Sequence, residues 1–117
     1  MFDPGFPINT FTVLGRCRRT GRLGVATTTR EMAVGSRVPN VKAHVGAIAT
    51  QASSDPRLGP LGLRLLGMGF TATRVMSELE ANDPHIERRQ LGIIDSWGTA
   101  MARTGSYNSD WAGHIIG

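Results

Sequence analysis

One cysteine is all the chain has, so Cys17 can close no internal disulfide. The opening Met1-Phe-Asp-Pro-Gly-Phe-Pro7 lacks the basic start and apolar run of a secretory leader. No apolar stretch approaches the ~20 residues that cross a bilayer. A reducing cytoplasm is the expected compartment, and a membrane is not an expected partner. Aromatic residues are scarce, at 6%, and the net charge of +4 comes from 13 Lys and Arg against 9 Asp and Glu. The basic residues are nearly all arginine and are spread from Arg16 to Arg103. A nucleic-acid arm would show a basic block with interleaved aromatics, so nucleic acid is not an expected partner either. The tightest basic group, Arg16, Arg18, Arg19 and Arg22, surrounds a predicted turn. It reads first as a solvated hairpin tip and second as an anion or partner contact. Cys17 lies between two of these arginines, which favours its thiolate. With no His or Asp motif beside it, Cys17 reads as a structural strand residue.

The standard catalytic signatures are missing as well. There is no phosphate-cradling Gly-rich loop with Lys, no dinucleotide fingerprint, no His-Glu-x-x-His and no paired-cysteine metal site. His44, His85 and His114 stand apart in sequence, so neither a metal nor a cofactor is expected.

What is present is an alternation of strand and helix signals in one domain, since 117 residues with 40% hydrophobic content suffice for one modest core. Asn9–Gly15 and Leu23–Thr29 read as strands around the turn Arg19–Arg22, a β-hairpin. Glu31–Asn40, broken by Gly35 and Pro39, reads as irregular. Val45–Gln51 is a continuous small and apolar run, which predicts a strand buried on both faces. Asp55-Pro56 opens a helix with Leu58, Leu61, Leu65 and Leu66 at helical spacing, ending near Gly67–Gly69. Thr71 is an N-cap for Ala72–Ala81, whose face is Val75, Met76 and Leu79 and whose stop is Asn82-Asp83-Pro84. Met68 and Met76 read as core filler. Arg89–Asp95, the turn Ser96–Gly98 and Thr99–Thr104 predict a second hairpin, followed by a polar loop at Gly105–Ser109. The order strands, helices, strands predicts an α+β fold with antiparallel pairing.

Hydroxyls are the remaining source of chemistry. Thr10, Thr12, Thr27, Thr28 and Thr29 gather on the first hairpin with Arg30 just beyond, although alternating threonine also suits a strand for its own sake. The segment Trp111–Gly117 brings apolar residues to the end of the chain without a polar cap. That predicts packing against something else, or a cut, with residues 1–8 an N-terminal extension and 9–117 half of a larger folded unit.

Several stretches carry a resemblance: Thr10-Phe-Thr-Val13, Gly21-x-Leu-Gly-Val-Ala26, Ala33-Val-Gly-Ser-x-Val-Pro39, Val45-Gly-Ala-Ile-Ala-Thr-Gln-Ala52, Gly59-Pro-x-Gly-Leu63, Asp83-Pro84, Arg89-Gln-Leu-Gly92 and Trp111-Ala-Gly-His114. In order, these resemble the N-terminal half of the bacterial and archaeal family catalogued as domain of unknown function 1028, grouped with the N-terminal-nucleophile hydrolases. The resemblance implies a four-layer αββα sandwich of which this chain supplies about half. It also implies amide-bond hydrolysis by a Thr, Ser or Cys at a chain N-terminus, whose α-amino group, of pKa near ~8, acts as general base.

Thr10 stands where such enzymes place the nucleophile, but Met1 to Asn9 precede it and it has no free amine. Either a cut after Gly117 creates the nucleophile on a second chain, or Thr10 or Thr12 is an internal nucleophile or the site is inactive. The first is preferred, although Ile116 departs from the His-x-Thr-Gly stretch that the family tends to have. The expected catalytic residues are Thr10, Thr12 and His114. Arg30 would hold a substrate carboxylate, Gln51 would donate to an oxyanion, and Asn108 and Asp110 would contact substrate from their loop. The expected function is an amidohydrolase acting on a small linear or cyclic amide, as the α subunit of an autocleaved heterodimer within a higher oligomer. The alternative is a non-catalytic ligand-binding or assembly subunit on the same scaffold.

Overall fold

Alternation shapes the first unit. In Thr10–Arg16 (β1) and Leu23–Thr29 (β2), half-buried residues alternate with exposed ones, the period of a strand with one packed face. The two pair antiparallel from Thr10↔Thr29 to Arg16↔Leu23. The computed structural model describes residues 9–117; the extension expected at 1–8 lies outside the described residues. Cys17 falls one residue past β1 and is exposed, so it belongs to the arginine-rich tip and is not the structural strand residue expected. Hydrogen bonds from Thr20 are the main cause that draws its thiol below the ordinary value.

The second sheet is a four-stranded antiparallel array in the order β3-β4-β5-β6, made of Pro39–Lys42, Gly46–Ala52, Arg89–Asp95 and Ala100–Thr104. As its unbroken small-apolar run predicts, β4 is buried from Gly46 through Gln51. The segment expected to be irregular instead holds a 3-10 turn, Val34–Ser36, and the edge strand β3. Pro39 opens that edge strand, where a missing N–H removes no inner ladder bond.

Two helices, Leu58–Gly67 (α1) and Ala72–Asn82 (α2), cover one face of this sheet, and the β1–β2 sheet covers the other. The helix-side core gathers Ile48, Leu58, Leu66, Val75, Met76, Leu79, Leu91 and Ile93. On α1 the packed stripe is Leu58, Gly59, Gly62 and Leu66, so close that a β carbon on Gly62 would collide with Cδ1 of Ile48. That stripe turns Leu61 outward, against expectation, and Met68 is likewise exposed while Met76 is core. The Thr71 hydroxyl accepts from the Arg74 N–H at 3.2 Å, the predicted N-cap of α2. Beneath it the buried Asp95 carboxylate accepts the N–H groups of Ala72, Trp97 and Thr99 at 2.9–3.0 Å. One side chain thereby ties α2 to the β5–β6 turn.

On the opposite face the small residues Ala47, Ala49 and Gly92 let the hairpin approach. Leu14 sits over Gly92, where a β carbon would lie 3.1 Å from its Cδ1. The outer face of the hairpin exposes Phe11 (66%) and Val13 (52%). Among the described residues the fold is α+β, with two sheets and two helices, and no helix is long and apolar enough to cross a membrane.

Candidate functional site

Strand alternation aims Thr10, Thr12, Thr27 and Thr29 inward from the hairpin, and Gln51 and Gln90 toward them from the larger sheet. Thr12 and Thr27 are register partners, as are Gln51 and Gln90, and Gln90 and Thr104. The polar side chains therefore form one row across five strands, in the seam between the sheets. The Thr10 hydroxyl donates to Thr29 Oγ1 at 3.0 Å. The Thr12 hydroxyl donates to Gln51 Oε1 at 2.6 Å, so the Thr27 hydroxyl, 2.6 Å from Thr12 Oγ1, is the donor in that pair. Gln51 Nε2 donates to the Thr10 carbonyl at 3.3 Å and to Gln90 Oε1 at 2.6 Å. Gln90 Nε2 donates to Thr104 Oγ1 at 3.1 Å and to the Gly113 carbonyl at 2.7 Å. Thr104 Oγ1 lies 3.0 Å from Nδ1 of His114.

Two backbone carbonyls, which only accept, fix both carboxamides in this sense. Turning Gln51 over would set its oxygen against the Thr10 carbonyl, and turning Gln90 over would do the same at Gly113. The donors consequently point one way along the row, from Thr27 through Thr12, Gln51 and Gln90 to the Gly113 carbonyl, and such chains polarise one another.

Charged pairs hold the flanks. Arg89, next to Gln90, is buried with Asp83 at 2.6 Å and also donates to the Ser53 carbonyl; that contact holds the Asp83 carboxyl below its ordinary range. Ala52, next to Gln51, has φ 67°, a left-handed conformation that costs a non-glycine residue about 1 kcal/mol. Glu87 receives the Ser106 hydroxyl and N–H at 2.6 and 2.8 Å and pairs with Arg103. The Ser106 hydrogen bonds, then the Arg103 contact, hold the Glu87 carboxyl at about 2, which anchors the loop following Thr104.

The seam thus brings together Thr10, Thr12 and Gln51, with His114 joined to them through Gln90 and Thr104. The other expected residues lie around it. Asn108 spends its amide on the Arg89 and Gly105 carbonyls at 3.0 and 2.9 Å and ties down the loop; Asp110 is exposed in that loop, and Arg30 is exposed beside Thr29. Gln90 and Thr104 are the members that sequence reasoning missed. Their signal was a polar residue at an inward strand position opposite another, readable only once the register is known. Among the described residues, the row offers directed donors, and the acceptor of the Thr12 hydroxyl is a carboxamide oxygen, a weak base. Among the described residues, no group of three His, Cys, Asp or Glu side chains is placed to hold a metal.

Comparison with known proteins agrees with this fold. The crystal structure of protein SPO2555 from Silicibacter pomeroyi, of the DUF1028 family, is similar with a TM-score of 0.86 and 30% identity over 93% of this chain and 50% of that one. The chain therefore spans half the length of that relative. No curated protein matches it. A family model described as a family of unknown function (DUF1028) matches residues 10–117, and the chain belongs to that family.

Proposed function

We propose that this chain forms one wall of an amidohydrolase of the N-terminal-nucleophile type, acting on a small linear or cyclic amide. The observation that carries the reading is the half-buried threonine and carboxamide row between two antiparallel sheets, with its donors aligned toward a carbonyl oxygen. Oriented donors of this kind stabilise the charge that builds on an amide oxygen during acyl transfer. Thr12 gives its proton to a carboxamide and Thr10 gives its proton to Thr29, so neither is paired with a base. The nucleophile is accordingly assigned to a second chain beginning with Thr, Ser or Cys, whose free amine supplies the base.

In this reading residues 9–117 make half of a four-layer αββα sandwich, and the partner covers the apolar outer face of the hairpin at Phe11 and Val13. Heterodimers assemble further in the cytoplasm. The doubled length of the relative supports a second half. A denaturing intact-mass spectrum of the protein expressed from its complete gene, with turnover of a panel of small amides, tests the reading. A 12.6 kDa species with a partner starting at Thr, Ser or Cys, together with turnover, is the expected result. One unprocessed mass and no turnover would refute it.

A second reading, a non-catalytic ligand-binding or assembly subunit, is favoured by one observation. The hydroxyls of Thr10, Thr12 and Thr27 and both carboxamides are already satisfied within the protein. Saturable binding of an amide without turnover would select it.

A further inference from the structure

The donor that would meet a ligand is not Gln51. Both of its amide hydrogens are engaged inside the seam, on the Thr10 carbonyl and on Gln90. At Gln90 the row opens. Its oxygen is taken by Gln51, which forces its Nε2 outward, and what that nitrogen meets is a peptide carbonyl, Gly113, at 2.7 Å. The next residue, His114, places ring Nδ1 3.0 Å from the Thr104 hydroxyl. Residues 109–117 are otherwise exposed, with Trp111 at 97% and Ile115 at 96%. Among the described residues, the tie between this segment and the seam is a carbonyl on Gln90 and a polar side chain on Thr104.

The geometry points to Gln90 and Thr104 as a carbonyl-binding subsite that the chain's own Gly113-His114 peptide occupies as an internal ligand. Its external ligand is a secondary amide whose carbonyl oxygen accepts from Gln90 Nε2 and whose neighbouring polar group reaches the Thr104 hydroxyl. Gln90 then takes the carbonyl-donor role in place of Gln51. The proposal deepens the amidohydrolase reading and rests on it only for the site's location, because occupancy is an equilibrium property that requires no cleavage. Since the internal peptide must leave first, the apparent affinity is lowered by the fraction of time the subsite is closed.

The probe is N-acetyl-glycyl-histidine amide, titrated calorimetrically into the protein expressed from its complete gene, with the probe's integrity checked afterwards. Saturable binding is expected, weakened by about tenfold or more when the glycyl carbonyl of the probe is replaced by a methylene, because a donor held in place by Gln51 then loses its acceptor. Gln90→Glu, which replaces the donor by a carboxylate, should weaken the probe comparably, and Thr104→Val by a smaller factor. The methylene analogue keeps the test sound should Gln90→Glu fail to fold. Absence of binding, or equal affinity for probe and methylene analogue, overturns the subsite. One unprocessed mass and no turnover across the panel of small amides, with carbonyl-dependent binding of the probe retained, would refute the amidohydrolase reading and leave the subsite standing.

Discussion

Gln51 takes the Thr12 hydroxyl and gives its two amide hydrogens to the Thr10 carbonyl and Gln90. Leucine at this position would fill similar space but strand a hydroxyl, a backbone carbonyl and a second carboxamide in a half-buried seam. Gln51→Leu should therefore destabilise the fold by about 2–3 kcal/mol, more than one average hydrogen bond. Urea unfolding followed by circular dichroism measures this, and a loss under about 0.5 kcal/mol would mean that water replaces the lost partners without penalty. The residue types were legible in the sequence: Thr10, Thr12, Gln51 and His114 are chemistry-bearing groups on recognisable elements. Gln90 was not, because a glutamine beside a buried arginine looks like an ordinary strand residue until register puts it opposite Gln51.

At the scale of elements, Asp95 joins the N-terminus of α2 to the turn between β5 and β6 by accepting three backbone N–H groups. Asp95→Ala would leave all three unsatisfied, one of them on the buried Ala72, and remove an anion from the positive end of a helix dipole. A loss of about 3 kcal/mol is expected, with a lower thermal midpoint by calorimetry; an unchanged midpoint would refute the joint. Most element positions were readable beforehand, because period-two alternation, an unbroken apolar run and capping residues are local signals. The edge strand β3 was masked by Pro39 and Gly35, which a local reading takes for breakers. The orientation of α1 was masked because its contact stripe is built from Gly59 and Gly62, residues without side chains to declare a face.

For the whole molecule, acid is the informative variable. The carboxyls of Glu87 and Asp55 sit at about 2, from ordinary values of 4.5 and 3.8, mainly through hydrogen bonds from Ser106 and Arg57 respectively. Asp83 is also lowered, by Arg89. Each folded value lies below its unfolded one, so the unfolded chain binds more protons in the interval between them. Their contribution is complete above the ordinary values and is lost as pH falls toward about 2. The urea midpoint should be flat above about pH 5 and drop steadily between about pH 4.5 and 2. Added salt should reduce the exposed Asp55–Arg57 and Glu87 shares more than that of the buried Asp83–Arg89 pair. A midpoint independent of pH down to 2 would show that the charged flanks do not support the seam. The hairpin sheet has only two strands and depends on packing against β4 and β5, through Leu14 on Gly92 and Thr12 on Gln51, since a lone hairpin is marginal in water.

By itself the sequence determined the strands and helices other than β3, that β4 is buried on both faces, that Thr71 caps α2, and that hydroxyls gather on the first hairpin, because these follow from side-chain period, capping chemistry and local backbone preference. Only the tertiary structure decided that the hairpin lies across the opposite face of the larger sheet from the helices. It also decided that two glutamines from separate strands meet and that their donors point toward Gly113. Register and sheet stacking join residues 39 to 41 positions apart, and nothing local in the chain encodes those distances.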